Sequence, residues 1–356
     1  MWWLYLLLGA GIFMGWSLGT NDAANAFGTA VATGVVKYRT AVTIIATMVV
    51  LGAFLQGSLN LESVNKLAVT NAVIPSEEAA RAQIEAGNKE WLDNVVWKST
   101  VKAALIFVVS AVVVFVMSYL KFPVSANQSI TGAIIGWGLA NGCKMEGENL
   151  QQILKFASTW IMSPAGAIVI SFVLITLTNK LLVPKLSKLA YYDKIVKFGY
   201  IVAGAYGAYS IGRNSSANVT SLYYGKIIDG NPTNLLSDAR LTATIGGIAI
   251  AIGVLTYSKK VMMTVGSSIA PLTQIEGFVV IIAMSLTITL IGDIMQIPVS
   301  TSQAVVGAVV GAGLTKGWRC VNFGVFKNIA IAWVSSPCAA GLVAYLVALA
   351  TKGFLA

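Results

Sequence analysis

Two kinds of polar cluster stand inside otherwise apolar runs, and each occurs twice. P-V-S-A-N-Q-S (123–129) returns as P-V-S-T-S-Q-A (298–304), and N-D-A-A-N (21–25) returns as N-S-S-A-N (214–218). Ser125 with Gln128, and Ser300 with Gln303, fit S-x-x-Q, the capping-box spacing of a helix start. Pro123 and Pro298 bias the residue before them towards an extended backbone. Each segment therefore predicts a chain that enters the membrane, breaks, and starts a short helix at depth. A helix N-terminus offers unpaired N–H donors and about half a positive charge. Two of them aimed at one point make an anion site without a formal cation. Ser125, Ser129, Ser300 and Ser302 add hydroxyls, Gln128 and Gln303 add amides unless capping occupies them, and Asn127 and Thr301 complete the expected substrate-binding set.

The other cluster complements the first. Asn21, Asp22 and Asn25 are expected at the start of a short helix, with Asn214, Ser215 and Asn218 in the same places of the second copy. A charge near the bilayer centre costs roughly 2.5–3.5 kcal/mol on insertion scales, so Asp22 needs a partner. No Lys or Arg is close in sequence, and a bound cation is the natural one. Carboxylate, amide and hydroxyl oxygens suit a small hard cation. The expected cation ligands are Asn21, Asp22, Asn25, Asn214 and Asn218. A simple N-cap role for Asp22 is the bland alternative, and the two are compatible. Asp293, Glu276 and Arg213 are weaker intramembrane charges. Arg213 is open to three roles: holding the anion, balancing Asp22, or snorkelling to water.

The elements that must position these residues follow from composition. Of 356 residues, 56% are apolar and only 11% are charged, with mean hydropathy +0.77. A soluble domain carries about 25% charged residues, so soluble and disordered chains are both excluded. The chain is read as an all-α polytopic protein of the cell (inner) membrane. Its net charge of +10 is read through the positive-inside rule, not as nucleic-acid binding, because no basic patch with interleaved aromatics is present. Cys143, Cys320 and Cys338 are too scattered for a disulfide framework, and there is no His. The N-terminus lacks the basic region of a signal peptide and reads as the first helix. Runs long enough to span the bilayer lie near 1–20, 40–59, 101–120, 153–178, 240–257, 274–296 and 325–351. The apolar stretches at 22–36, 124–141, 198–226 and 299–314 read as half-helices or re-entrant hairpins, which survive only when buried in protein or lining a cavity.

The duplication extends beyond the clusters. Residues 122–139 match 297–314, W-I-M-S-P-A-G-A (160–167) matches W-V-S-S-P-C-A-A (333–340), and 19–26 match 212–219, in the same order. The expected organisation is an N-terminal repeat (1–180), a central basic loop (181–196) and a C-terminal repeat (197–356). Segment 60–98 is expected outside the membrane as a solvated amphipathic helix. It holds six acids (Glu62, Glu77, Glu78, Glu85, Glu90, Asp93) against four bases (Lys66, Arg81, Lys89, Lys98), whereas its counterpart near 258–273 holds Lys259 and Lys260 and no acid. Equivalent loops on opposite sides predict inverted-topology repeats, with broken helices meeting at a midplane site.

G-T-N-D-A-A-N-A with G-R-N-S-S-A-N-V, together with the two P-V-S segments, resembles the inorganic phosphate transporter (PiT) family, whose motif is a duplicated G-A-N-D-V-A-N-A. The resemblance covers both halves. It implies a sodium-dependent phosphate transporter, with H⁺ coupling or sulfate transport as the alternatives found among relatives. Carried over by position, the motif residues are Asn21, Asp22 and Asn25, then Asn214 and Asn218. Ser215 departs from the motif's second Asp, and Gln128 and Gln303 stand where many relatives have His, which bears on the coupling ion more than on the substrate. The implied partners are inorganic phosphate, Na⁺ and the lipid bilayer, with no organic cofactor and no nucleic acid; a homodimer is left open. An enzyme is not expected, because no H-E-x-x-H, nucleotide P-loop or His-based triad is present, and an anion channel is the remaining rival. Na⁺ is favoured over H⁺ because the chain lacks His, the side chain that most easily loads and releases a proton near neutral pH. Phosphate is favoured over sulfate because it keeps a proton to donate.

Overall fold

The computed structural model describes residues 2–120, 122–186, 191–223, 227–228, 231–232, 238–259, 262 and 269–355. The first half forms α1 (Trp2–Ala32), α2 (Tyr38–Gln56), α3 (Leu61–Thr70), α4 (Glu77–Glu85), α5 (Lys89–Tyr119), α6 (Ala126–Ala140) and α7 (Gly147–Leu181). After the short α8 (Val183–Leu186), the second half forms α9 (Tyr192–Ser215), α10 (Ala217–Thr220), α11 (Ala239–Tyr257), α12 (Gln274–Met295), α13 (Thr301–Leu314) and α14 (Phe323–Leu355). A two-residue antiparallel pair, Ile227–Ile228 with Asn231–Pro232, is the only strand structure among the described residues. Six helical stretches there are long and apolar enough to cross a membrane: Tyr38–Thr70, Asn94–Tyr119, Gly147–Lys185, Ala239–Tyr257, Gln274–Met295 and Phe323–Leu355.

The packing repeats as the sequence does. α1 packs on α11 and α5, and its counterpart α9 packs on α2 and α12. α6 lies along α14, and its counterpart α13 lies along α7. The short helices of each half are thus held by the long proline-containing helix of the other. Glycine makes the approach close enough: a Cβ on Gly132 would fall 2.2 Å from the Pro337 carbonyl oxygen, and one on Gly307 would fall 2.4 Å from that of Pro164.

The two P-V-S segments behave as expected. Residues 122–125 and 298–300 are without regular structure, and short helices start at Ala126 and Thr301. The Asn motifs do not. Instead of opening a short helix, Asn21, Asp22 and Asn25 lie in the middle of the unbroken α1, and Asn214 lies in the last turn of α9, ahead of Asn218 in α10. The intervening Ala23 and Ala24, and Ala26 just after, are strong helix formers, and the polar side chains find partners on other helices, so no chain break is needed to satisfy them. Segment 60–98 also departs from a solvated helix in its first part. Leu61, Val64, Leu67 and Ala68 of α3 are buried, and α3 packs against α6 and α7. The exposed acids described in this segment are Glu62 on the outer side of α3, Glu78 and Glu85 on α4 and Glu90 at the start of α5, and part of the 181–196 loop (187–190) lies outside the described residues.

Candidate substrate and ion site

The two short helices present their N-termini to each other. Ser125 and Ser300 sit at the N-caps, where their hydroxyls accept from the backbone N–H of Gln128 and Gln303 at 3.3 and 3.2 Å. The capping box stays half-formed. In α12 the Glu276 side chain folds back to the backbone N–H of Thr273, completing such a box, whereas Gln128 and Gln303 are left with unpartnered buried Oε1 atoms. Capping therefore does not consume these amides. Ser129 Oγ turns to the Ser125 carbonyl at 3.3 Å.

Side chains stitch the two tips together. Asn127 Nδ2 donates to the Pro298 carbonyl at 2.5 Å, and Ser302 Oγ donates to the Val124 carbonyl at 2.9 Å. Asn127 and Ser302 are matched positions of the repeat, so each tip grips the strand-like entry to the other. Because the Asn127 amide nitrogen is fixed on a carbonyl, its Oδ1 is an acceptor, and that atom has no partner although buried.

The Asn motifs close the site from the side. Asn21 Nδ2 donates to Ser118 Oγ at 2.6 Å, and Ser302 Oγ also lies 3.4 Å from Asn21 Oδ1. Asn214 holds Val299 at both backbone groups, donating to its carbonyl at 2.7 Å and accepting from its N–H at 2.7 Å. Asn25 Nδ2 reaches Asp22 Oδ1 at 3.2 Å and the hydroxyls of Thr301 and Ser302, each at 3.4 Å. Asp22 is 5% exposed, and its hydrogen-bond partners are the Asn25 amide and the hydroxyls of Thr301 and Ser215. Ser215 is the matched position of Asp22, so the two copies face each other at the junction of the halves. A buried carboxylate with only neutral partners lacks a countercharge. Asn218 is buried too, with an unpartnered Oδ1.

Arg213 does not supply that countercharge. It forms an ion pair with Asp293, the residue at the end of α12 just ahead of the second tip. The guanidinium is almost fully buried and the carboxylate half-exposed. Sequence reasoning placed these two separately and overlooked Ser118. Extending the repeat backwards from the P-V-S segments aligns Ser118 with Asp293, just as the Asn motifs align Thr20 with Arg213, and that alignment marks Ser118 as a position of the site.

Comparison with known proteins completes the description. The phosphate transporter family profile matches residues 18–344. A relative in Pyrococcus furiosus, provisionally named as a phosphate permease, is 26% identical, with 95% of this chain and 93% of that protein covered. One in Methanocaldococcus jannaschii with the same provisional name is 26% identical over 93% of this chain and 92% of its own length. Among solved structures, one described as the sodium-dependent phosphate transporter superposes with a TM-score of 0.77 at 23% identity, covering 99% of this chain and all of that one. At that identity the match speaks for the fold.

Proposed function

The chain belongs to the phosphate transporter family, and from that premise we propose that it is a secondary active symporter importing inorganic phosphate across the cell (inner) membrane, coupled to Na⁺. The observation that carries this reading is the setting of Asp22: one buried carboxylate ringed by neutral amides and hydroxyls, beside two helix N-termini. The N-termini, with Ser125, Asn127, Gln128, Ser129, Ser300, Thr301, Ser302 and Gln303, bind phosphate. Asp22, with Asn21, Asn25, Asn214 and Asn218, binds Na⁺. The fixed acceptor on Asn127 and the unpartnered Gln oxygens suit a substrate that carries a proton, which favours phosphate over sulfate. Na⁺ at Asp22 offsets the substrate charge, so each ligand improves binding of the other, which symport requires.

The repeats 1–180 and 197–356, joined by 181–196, are of inverted topology in this proposal. Each short helix rests on the long helix of the other half, so rocking one half against the other would expose the junction alternately to each side. A homodimer is compatible with this plan. H⁺ coupling is the competing reading, because a buried carboxylate can carry a proton. The test is radiolabelled phosphate uptake into proteoliposomes with an imposed Na⁺ or H⁺ gradient and sulfate as competitor. Uptake driven by Na⁺ at fixed pH and resistant to sulfate is expected. Strong uptake with choline in place of Na⁺, driven by an inward H⁺ gradient, would overturn Na⁺ coupling.

A further inference from the structure

Three helical stretches end together well away from the substrate site. The end of α3 with the turn after it, the first turns of the spanning part of α5, and Leu355 at the end of α14 enclose a cavity of about 510 Å³. Its wall is divided. Val73 and Leu355 are among its apolar side, while Ser76, Lys98, Ser99 and Lys102 give it a polar one. Lys98 and Lys102 stand one helical turn apart on the same face, where like charges repel. Lys102 is half-buried and has no acidic partner among the described residues. The Lys102 ammonium, withdrawn from water, facing a second cation and without an acidic partner among the described residues, calls for an anion.

The position of the cavity says which anion. The candidate spans end at Thr70 and Leu355 and begin at Asn94, so the cavity lies where helices leave the hydrocarbon layer, at the depth of phospholipid headgroups. Lys102 and Ser118 lie on the same helix, 16 residues apart, which places the cavity about 24 Å from the junction of the tips. We infer that this cavity binds the phosphate group of an anionic phospholipid, with Lys98 and Lys102 on the phosphate and the apolar wall against the glycerol and upper acyl carbons. Free phosphate shares the charge, but it would make no use of the apolar wall.

The test adds phosphatidylglycerol, phosphatidylcholine or inorganic phosphate to the purified full-length protein and reads lipid binding by native mass spectrometry and the melting temperature in parallel. Phosphatidylglycerol is expected to bind and stabilise the wild type. It should bind about thirtyfold more weakly to Lys98→Gln/Lys102→Gln and with unchanged strength to Lys98→Arg/Lys102→Arg, since each basic residue near the surface is worth about fivefold. Inorganic phosphate should stabilise the wild type and the Gln variant equally, through the distant substrate site. The single variant Lys102→Gln, with an expected loss of about fivefold, carries the test if the double Gln variant does not fold. Equal phosphatidylglycerol binding by wild type and the Gln variants would overturn the site. Loss of the inorganic phosphate effect in the Gln variants alone would overturn the lipid as its occupant.

Discussion

The two halves of the site are alike in scaffold and unlike in charge. In the first half, position 20 is Thr, position 22 is Asp and position 118 is Ser. The matched residues of the second half are Arg213, Ser215 and Asp293. The first half thus keeps a carboxylate whose protein partners are all neutral. The second half moves its carboxylate outwards and pairs it with a guanidinium of its own. Duplication reproduces packing because packing depends on shape, and glycines at matched contacts preserve it. Charge is free to diverge so long as each buried ion is compensated. One half compensates its acid internally, and in the proposed symport cycle the other leaves that role to Na⁺.

The sharpest way to break this comparison is to exchange the acids. Asp22→Asn is expected to lower Na⁺-driven phosphate uptake by a hundredfold or more, because it removes the only acidic side chain described at the junction. If the halves were interchangeable, adding Ser215→Asp would restore uptake. We expect no rescue, because Arg213 beside that position would compete with Na⁺ for the new carboxylate. Proteoliposome uptake at fixed pH with and without a Na⁺ gradient reads both variants. Normal Na⁺-dependent uptake in Asp22→Asn would remove Asp22 from the mechanism.

The shared scaffold predicts equality where the charges predict difference. Gly132→Ala and Gly307→Ala each drive a Cβ towards a backbone carbonyl of the opposite half. Each should cost about 2–3 kcal/mol by overpacking, with the two values within about 1 kcal/mol of each other. Detergent-solubilised unfolding midpoints check this. A large cost at one glycine and none at the other would show that the halves pack unequally.

The ion pair gives the next effect. Asp293→Asn leaves a buried guanidinium without its anion, whereas Arg213→Thr leaves a half-exposed carboxylate that water can reach. The first should cost about 1–2 kcal/mol and the second less, since exposure screens the pair. Arg213→Thr/Asp293→Ser recreates the first half's residues at both positions and should recover most of the loss in a double-mutant cycle. Additive losses would mean that the contact contributes nothing.

Much of this arrangement is legible in the sequence, and the boundary of legibility is physical. The Ser caps and the breaks at Pro123 and Pro298 are local, so short-range rules find them. The repeat is visible because matched residues keep their order. The course of α1 is not legible, because whether Asn21 and Asp22 end a helix or sit inside one depends on partners such as Ser118 and Thr301, far along the chain. The burial of α3 is hidden for a similar reason: its apolar stripe is short, and polar residues on either side dominate the segment. Arg213 and Asp293 are 80 residues apart, and nothing local pairs them.

The smallest effect concerns how each tip is moored. Ser163 Oγ donates to the Ser300 carbonyl at 3.0 Å, tying the second tip to α7. The matched hydroxyl, Ser336 Oγ, is buried without a partner. The first tip is tied differently, by Trp333 Nε1 on the Pro123 carbonyl at 3.0 Å, and here the matched Trp160 Nε1 is the unpartnered atom. Each long helix therefore offers a serine and a tryptophan, and each tip takes a different one. In the proposed transport cycle the halves exchange roles, and the idle serine and tryptophan would engage while the other two release. In a protein held in this one conformation, Ser163→Ala should cost about 1 kcal/mol and Ser336→Ala close to nothing, since the latter removes a hydroxyl that is already unsatisfied. Trp333→Phe and Trp160→Phe should divide in the same way. Unfolding midpoints measured at saturating Na⁺ and phosphate, and again without them, test this. Equal costs at Ser163 and Ser336 under every condition would show that both tips are moored alike, and would remove the difference between the halves from the conformational step.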